Sequence, residues 1–195
     1  MEKVKHYLPT AVSFSSIAMS WVAISLLEHS ALLSFLCILA AFILDALDGH
    51  VARKLDAVTQ HGRQLDSLAD TLIYLVWPAL FLQYVFDFQD PASIAVQVAF
   101  LVAGLYRLAR FNSIGYVSWR GITGYPGLPV IFSHCIIAVL LVAYRGATPP
   151  WLLTNALLLI HSLLMVQRFP FPRPKTWQIV TLIALMAALV SWRLQ

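Results

Sequence analysis

Seven apolar runs fill most of the chain, near 8–27, 31–52, 63–86, 91–110, 126–144, 150–167 and 176–193, each close to the length that passes through lipid. A spanning helix needs about 20 predominantly apolar residues, and in hydrocarbon the backbone has to satisfy its own hydrogen bonds, which a helix does within one segment. The pattern therefore predicts an all-α, polytopic membrane bundle of about seven transmembrane helices. Composition agrees: 60% of the residues are hydrophobic and only 11% are charged, against roughly a quarter in soluble domains. No repeat, soluble domain or low-complexity linker interrupts the pattern, so residues 1–195 are expected to form a single integral-membrane domain.

The breaks between runs are short. Residues 1–7 form a basic lead, and no small-residue cleavage pattern precedes Leu26-Leu27, so the first span is expected to be retained and to serve as the insertion signal. Pro78 predicts a kink in the third span. Pro91 fits the start of a helix. Pro126-Gly127-Leu128-Pro129 opens the fifth span, and the prolines between Arg168 and Lys175 predict a rigid, basic connection before the last. Cys37 and Cys135 lie inside apolar runs without metal-ligand spacing and read as buried thiols.

The net charge of +4 points to neither nucleic acid nor an acidic protein partner; its placement is what informs. With the N-terminus in the cytoplasm and seven alternating spans, Lys3, Lys5, Arg53, Lys54, Arg63, Arg107, Arg110, Arg120, Arg168, Arg173 and Lys175 fall inside, and only Arg145 and Arg193 outside. The positive-inside rule favours that orientation.

One stretch breaks the apolar pattern with purpose. Asp45 and Asp48 are three residues apart near the end of the second run, and Asp66 and Asp70 four apart at the start of the third. On helices each pair shares a face. Four converging carboxylates in low dielectric repel one another, and a divalent cation removes the conflict. Oxygen-only ligation selects a hard ion such as Mg²⁺, Mn²⁺ or Ca²⁺. Gly49, Ala52 and Gly62 are small enough to let a ligand or backbone approach, and Arg53 suits a phosphate. The alternative for Arg53 is a snorkelling juxtamembrane arginine.

Written out, Asp45-x2-Asp48-Gly49-x2-Ala52-Arg53-x8-Gly62-x3-Asp66-x3-Asp70 resembles, at each position, the signature of the CDP-alcohol phosphatidyltransferases. The resemblance implies a reaction in which an alcohol attacks the β-phosphorus of a CDP-linked lipid and CMP leaves. It implies Asp45, Asp48, Asp66 and Asp70 as ligands of Mg²⁺ or Mn²⁺, two ions in all, with Asp70 as candidate general base. Gly49, Ala52, Arg53 and Gly62 would bind CDP-diacylglycerol. A site at the cytoplasmic ends of the second and third helices is expected, in a bacterial inner (plasma) membrane.

The acceptor is read from further features. Ser67-Leu68-Ala69 stands between Asp66 and Asp70, and Arg107-x2-Arg110-Phe111-Asn112 and Gly127-Leu128-Pro129 are similar to elements of the family's serine-using members. Arg107, Arg110 and Asn112 are the candidate residues for L-serine, whose carboxylate arginines can fix; membrane anchoring is the other reading of the two arginines. Inositol phosphate, glycerol phosphate or choline as acceptor, and diacyl or ether tails, stay open. Outside the enzymes, a cation-binding transporter also places carboxylates in spans, although such proteins usually show paired repeats. Tyr74, Trp77, Phe81, Tyr84 and Phe100 recur at roughly helical spacing, and family resemblance implies that this face pairs two copies in a homodimer; lipid-facing aromatics are the alternative.

Overall fold

The computed structural model describes residues 2–119, 121–145, 147–172 and 176–194, with backbone alone for 2–7, 119, 122, 176–177 and 193–194. Arg120, Arg173 and Lys175, counted above for orientation, lie outside the described residues, as do the side chains of Lys3, Lys5 and Arg193.

The structure is mostly helical. In order it runs α1 (Glu2–Ser25), α2 (Ala31–Lys54), α3 (Gln60–Thr71), a π-helical turn (Leu72–Val76), α4 (Trp77–Tyr84), α5 (Pro91–Ile114), β1 (Val117–Trp119), β2 (Ile122–Pro126), α6 (Phe132–Tyr144), α7 (Trp151–Val166), β3 (Pro170–Pro172) and α8 (Thr176–Leu194). Four stretches, Leu8–Ser25, Ala31–Lys54, Gln60–Tyr84 and Pro91–Ile114, are long and apolar enough to cross a membrane, and three shorter apolar helices follow. This is the architecture of an integral membrane protein. The chain divides into two compact units, Met1–Trp77 and Pro78–Gln195.

In the first unit α2 packs on α1, and α3 on both. Local chemistry sets the ends of these helices. Ser30 caps α2 by accepting from the Leu33 N–H at 3.2 Å, and Thr59 caps α3 by accepting from Gly62 at 2.9 Å. At the far end of α2, Asp56 takes a left-handed φ of 53° and the Ala57 N–H returns to the Ala52 carbonyl at 2.9 Å. That is the geometry that lets a helix stop within one residue. Between the helices the Ser34 hydroxyl donates to the Ala23 carbonyl at 2.6 Å and accepts from the Trp77 indole N–H at 3.0 Å. Phe35 lies against Trp77 and Phe42 edge-on to Tyr74, with ring centroids 5.8 and 5.4 Å apart. The kink expected at Pro78 takes another form: immediately before this residue without an N–H, the turn widens, and the Trp77 N–H reaches the Leu72 carbonyl.

The second unit is joined by polar contacts as well as apolar ones. Asn155 on α7 donates to Ser93 on α5 at 3.0 Å, and Gln97 receives from Gln83 at 2.7 Å while donating to the Phe88 carbonyl at 2.9 Å. Such bonds hold helices together where apolar burial offers little preference over lipid. The all-α expectation needs one correction. The polar segment after α5 forms a hairpin, and part of the proline-rich connection after α7 joins it, giving an antiparallel sheet in the order β1-β2-β3. Prolines fit β3 because it is an edge strand. Gly124 sits where a Cβ would come 2.0 Å from the Phe171 carbonyl oxygen, so the two strands approach as closely as they do only through glycine. The fifth apolar helix accordingly starts at Phe132 and not near residue 126, because β2 and the turn at Gly127 (φ 79°) occupy the residues before it.

Candidate functional site

Helices α2 and α3 bring three of the four aspartates together. Asp45, Asp48 and Asp66 each offer a carboxylate oxygen, and these oxygens lie within 4.8 Å of one another. Asp45 and Asp48 are buried, and Asp66 is half-buried. Asp70 is a turn further along α3, outside that close group, and its charge acts on Asp45 and Tyr74. The charge of Arg53 acts on Asp48 and Asp66.

Two hydroxyls attend the cluster. Ser13 on α1 donates to Asp48, with the Pro9 carbonyl 3.2 Å away on the other side. Tyr74, in the π-helical turn, donates to Asp45 at 3.4 Å. The remaining Asp45 oxygen, Oδ1, is buried and has no hydrogen-bond partner among the described residues. A buried carboxylate oxygen without a donor, on a residue grouped with two more carboxylates, is costly unless a cation completes it. The donor set and this orphaned oxygen fit a hard divalent ion.

A cavity of about 380 Å³ opens beside the cluster, with Asp48 and Asp66 in its wall. Gly49, Ala52, Arg53 and Gly62, the residues singled out for the nucleotide, all line it, and α1 adds Pro9, Thr10 and Ser13. A Cβ on Gly49 would come 3.3 Å from Arg53 Nη1, so the missing side chain leaves the guanidinium room to fold back over its own helix. The volume falls in the range of small-molecule sites.

The candidate acceptor residues lie in the second unit. Arg107 is buried on α5, with its guanidinium 5.8 Å from the Phe111 ring centroid and 5.5 Å from that of Tyr125. Those two rings and Tyr116 form a triangle with centroids 5.3 Å apart. Arg110 donates from Nη1 to the Val166 carbonyl at 2.6 Å, and from Nη2 to those of Pro126, Met165 and Gln167 at 2.8, 3.0 and 2.9 Å. It thereby satisfies the end of α7, where a helix leaves carbonyls unpaired. Asn112 is exposed at the end of α5.

The sequence does not single out Ser13, one of several serines on α1, and the helical spacing assigns Tyr74 to a surface face. The aromatic residues taken as a face for a second copy are mostly interior: Tyr74, Trp77, Phe81 and Phe100 are buried within the chain, and only Tyr84 is exposed. Helical spacing alone cannot tell a core stripe from a surface one. His50 and His61 are exposed.

Comparison with known proteins accords with this geometry. The model of the CDP-alcohol phosphatidyltransferase family matches residues 6–193, and the chain belongs to that family. Among curated relatives, a CDP-diacylglycerol–serine O-phosphatidyltransferase of Methanocaldococcus jannaschii is 31% identical over 140 residues, 72% of this chain and 64% of the relative. One from Mycobacterium tuberculosis is 41% identical over 108 residues, 55% of this chain and 38% of the relative. One from Bacillus subtilis is 30% identical over 172 residues, 87% of this chain and 92% of the relative. The chain thus spans less than two thirds of the archaeal and mycobacterial proteins and nearly all of the Bacillus one.

Proposed function

We propose that this protein transfers a phosphatidyl group from CDP-diacylglycerol to the hydroxyl of L-serine, releasing CMP. The observation that carries the reading is the carboxylate trio of Asp45, Asp48 and Asp66, whose oxygens lie within 4.8 Å beside a cavity walled by Gly49, Ala52, Arg53 and Gly62. The names of the relatives supply the alcohol. In this reading the aspartates, with Asp70, hold Mg²⁺ or Mn²⁺, two ions in all, which when bound neutralise charge on the pyrophosphate and on the departing phosphate oxygen. The small residues of the cavity wall admit the nucleotide to the helix backbone, and Arg53 faces its phosphates. The serine oxygen forms the new bond to the β-phosphorus, the bond to the CMP oxygen breaks, and Asp70 takes the hydroxyl proton. Ser13 and Tyr74 hold Asp48 and Asp45 in position. Arg107 and Asn112 are the acceptor-side residues, and Arg110 serves that side by fixing the chain around it.

The finer placement belongs to the same proposal. All seven apolar helices span the membrane as one domain, with the N-terminus and the site facing the cytoplasm of a bacterial cell, and two copies associate. The test is the purified chain with CDP-diacylglycerol, Mn²⁺ or Mg²⁺, and separately serine, glycerol phosphate, inositol phosphate or choline. CMP release with serine alone is expected. Release with another alcohol and not with serine overturns the acceptor; cation flux without CMP release in any arm overturns the enzyme.

A further inference from the structure

A second cavity, of about 290 Å³, lies in the second unit, and its lining includes none of the clustered aspartates. Tyr106, Arg110 and Ile114 on α5, Val117 on β1, Pro126 on β2 and Arg168 after α7 line it. Among the described residues its wall carries two guanidinium groups and no carboxylate. The two arginines differ. Arg110 is engaged with four carbonyls, and its guanidinium lies 5.5 Å from the Tyr106 ring centroid. Arg168 is exposed and makes no hydrogen bond or ion pair to any described residue. Among the described residues, the cavity therefore has a cation at its wall that no other group engages.

What leads up to that cation is apolar. Ile94, Val98, Val102 and Tyr106 are 42, 52, 61 and 47% exposed, and they follow one another at intervals of four along α5. Residues so spaced form a continuous ridge on a helix, and this one runs into Arg110 and Ile114 in the cavity wall. On a helix long and apolar enough to cross a membrane, such a ridge faces hydrocarbon. A strip of hydrocarbon-facing surface ending in a basic, carboxylate-free hollow matches one chemistry: acyl chains joined to a phosphate.

We propose that this cavity binds the phosphate of an anionic membrane phospholipid, held mainly by Arg168, with an acyl chain along the α5 ridge. The site does not depend on the reaction proposed above, and the lipid is a resident ligand, not a substrate. A free phosphate offers the same anion but makes no use of the ridge, so the lipid is the occupant the geometry favours.

The experiment uses the full chain in nanodiscs containing phosphatidylglycerol with a photoreactive acyl chain, and maps the labelled peptides. Labelling of α5 between Val98 and Ile114 is expected, displaced by unlabelled phosphatidylglycerol and not by inorganic phosphate or phosphatidylcholine. Arg168→Gln should lower it about tenfold, the usual consequence of losing a charged hydrogen bond, and Arg168→Lys should recover part of it. Ile114→Trp, which fills the hollow without changing charge at an exposed position, should lower it too. Labelling of this stretch that is unchanged in both Arg168→Gln and Ile114→Trp overturns the proposal, as does displacement by inorganic phosphate as effective as that by lipid. CMP release, measured in parallel, reports separately on the carboxylate cluster.

Discussion

Three aspartates in the first unit and two arginines in the second are both groups of charged side chains on helices, and they meet the cost of burial in opposite ways. Asp45, Asp48 and Asp66 set like charges within 4.8 Å and leave a buried oxygen without a donor among the described residues. Arg110 gives its terminal nitrogens to four carbonyls, and Arg107 lies against two aromatic rings. Uncompensated charge in low dielectric costs several kcal/mol, so the first group calls for an added cation, whereas the terminal nitrogens of Arg110 and the guanidinium face of Arg107 are already engaged by the fold. A motif of charged residues can thus mark a place that receives a ligand or a place that fastens the chain, and only the partners tell which.

The contrast breaks most visibly at the aspartates. Asp48→Ala or Asp66→Ala should abolish CMP release, and EDTA should do so reversibly on the unaltered protein, while thermal unfolding of the metal-free variants comes at no lower temperature because a like charge has been removed. Turnover that survives Asp66→Ala would mean the trio receives no catalytic ion. The next effect in size is Arg110→Lys. One ammonium cannot serve four carbonyls, and a loss on the order of 2–3 kcal/mol in stability is expected, with a raised KM for serine and an unchanged KM for the CDP-lipid. A changed KM without any change in unfolding would move Arg110 from fastening to direct contact.

Ser13→Ala sharpens the comparison from the other side. The carboxylate it orients remains, so the ion concentration giving half-maximal rate should rise roughly ten- to a hundredfold, with the rate at saturating ion nearly preserved and Ser13→Thr restoring the original value. An unchanged metal dependence would leave Ser13 a bystander. The smallest effect concerns Asp90, a carboxylate that is satisfied where it stands. Hydrogen bonds from Ser93, then those from Trp151 and Ala92, hold it below the usual carboxylate range. Its folded value being the lower one, its contribution is complete above about pH 4 and is lost as pH falls through that lower value. Unfolding temperatures measured against pH should therefore differ between the protein and Asp90→Ala above that point, and converge below it.

Much of the site was legible because its signal is local. The spacings of Asp45 with Asp48 and of Asp66 with Asp70 translate directly into helix faces, and Gly49, Ala52, Arg53 and Gly62 follow from the same helices. The residues that escaped notice act across the chain. Ser13 matters through Asp48, 35 positions away, and one sequence does not say which of several serines on α1 will face α2. The sheet was hidden for the same reason: β2 pairs with β3 over more than forty residues of chain, and strands of three to five residues rich in proline carry no alternation to read. The four carbonyls that engage Arg110 are backbone atoms, which leave no mark on side-chain identity.

The Ser34 hydroxyl, between Ala23 and Trp77, also works as a ruler. Eleven residues separate Ser34 from Asp45 on α2, and eleven separate Asp66 from Trp77 on the way out of α3. Eleven residues are about three helical turns, roughly 16 Å. Pinning Trp77 to Ser34 therefore sets how far the third helix slides along the second, and stops it where Asp66 stands level with Asp45. The Ala23 carbonyl, by accepting the Ser34 proton, aims the serine lone pairs toward the Trp77 indole. The height at which the carboxylates meet is thus gauged three turns away from them, by a single indole finding a single oxygen.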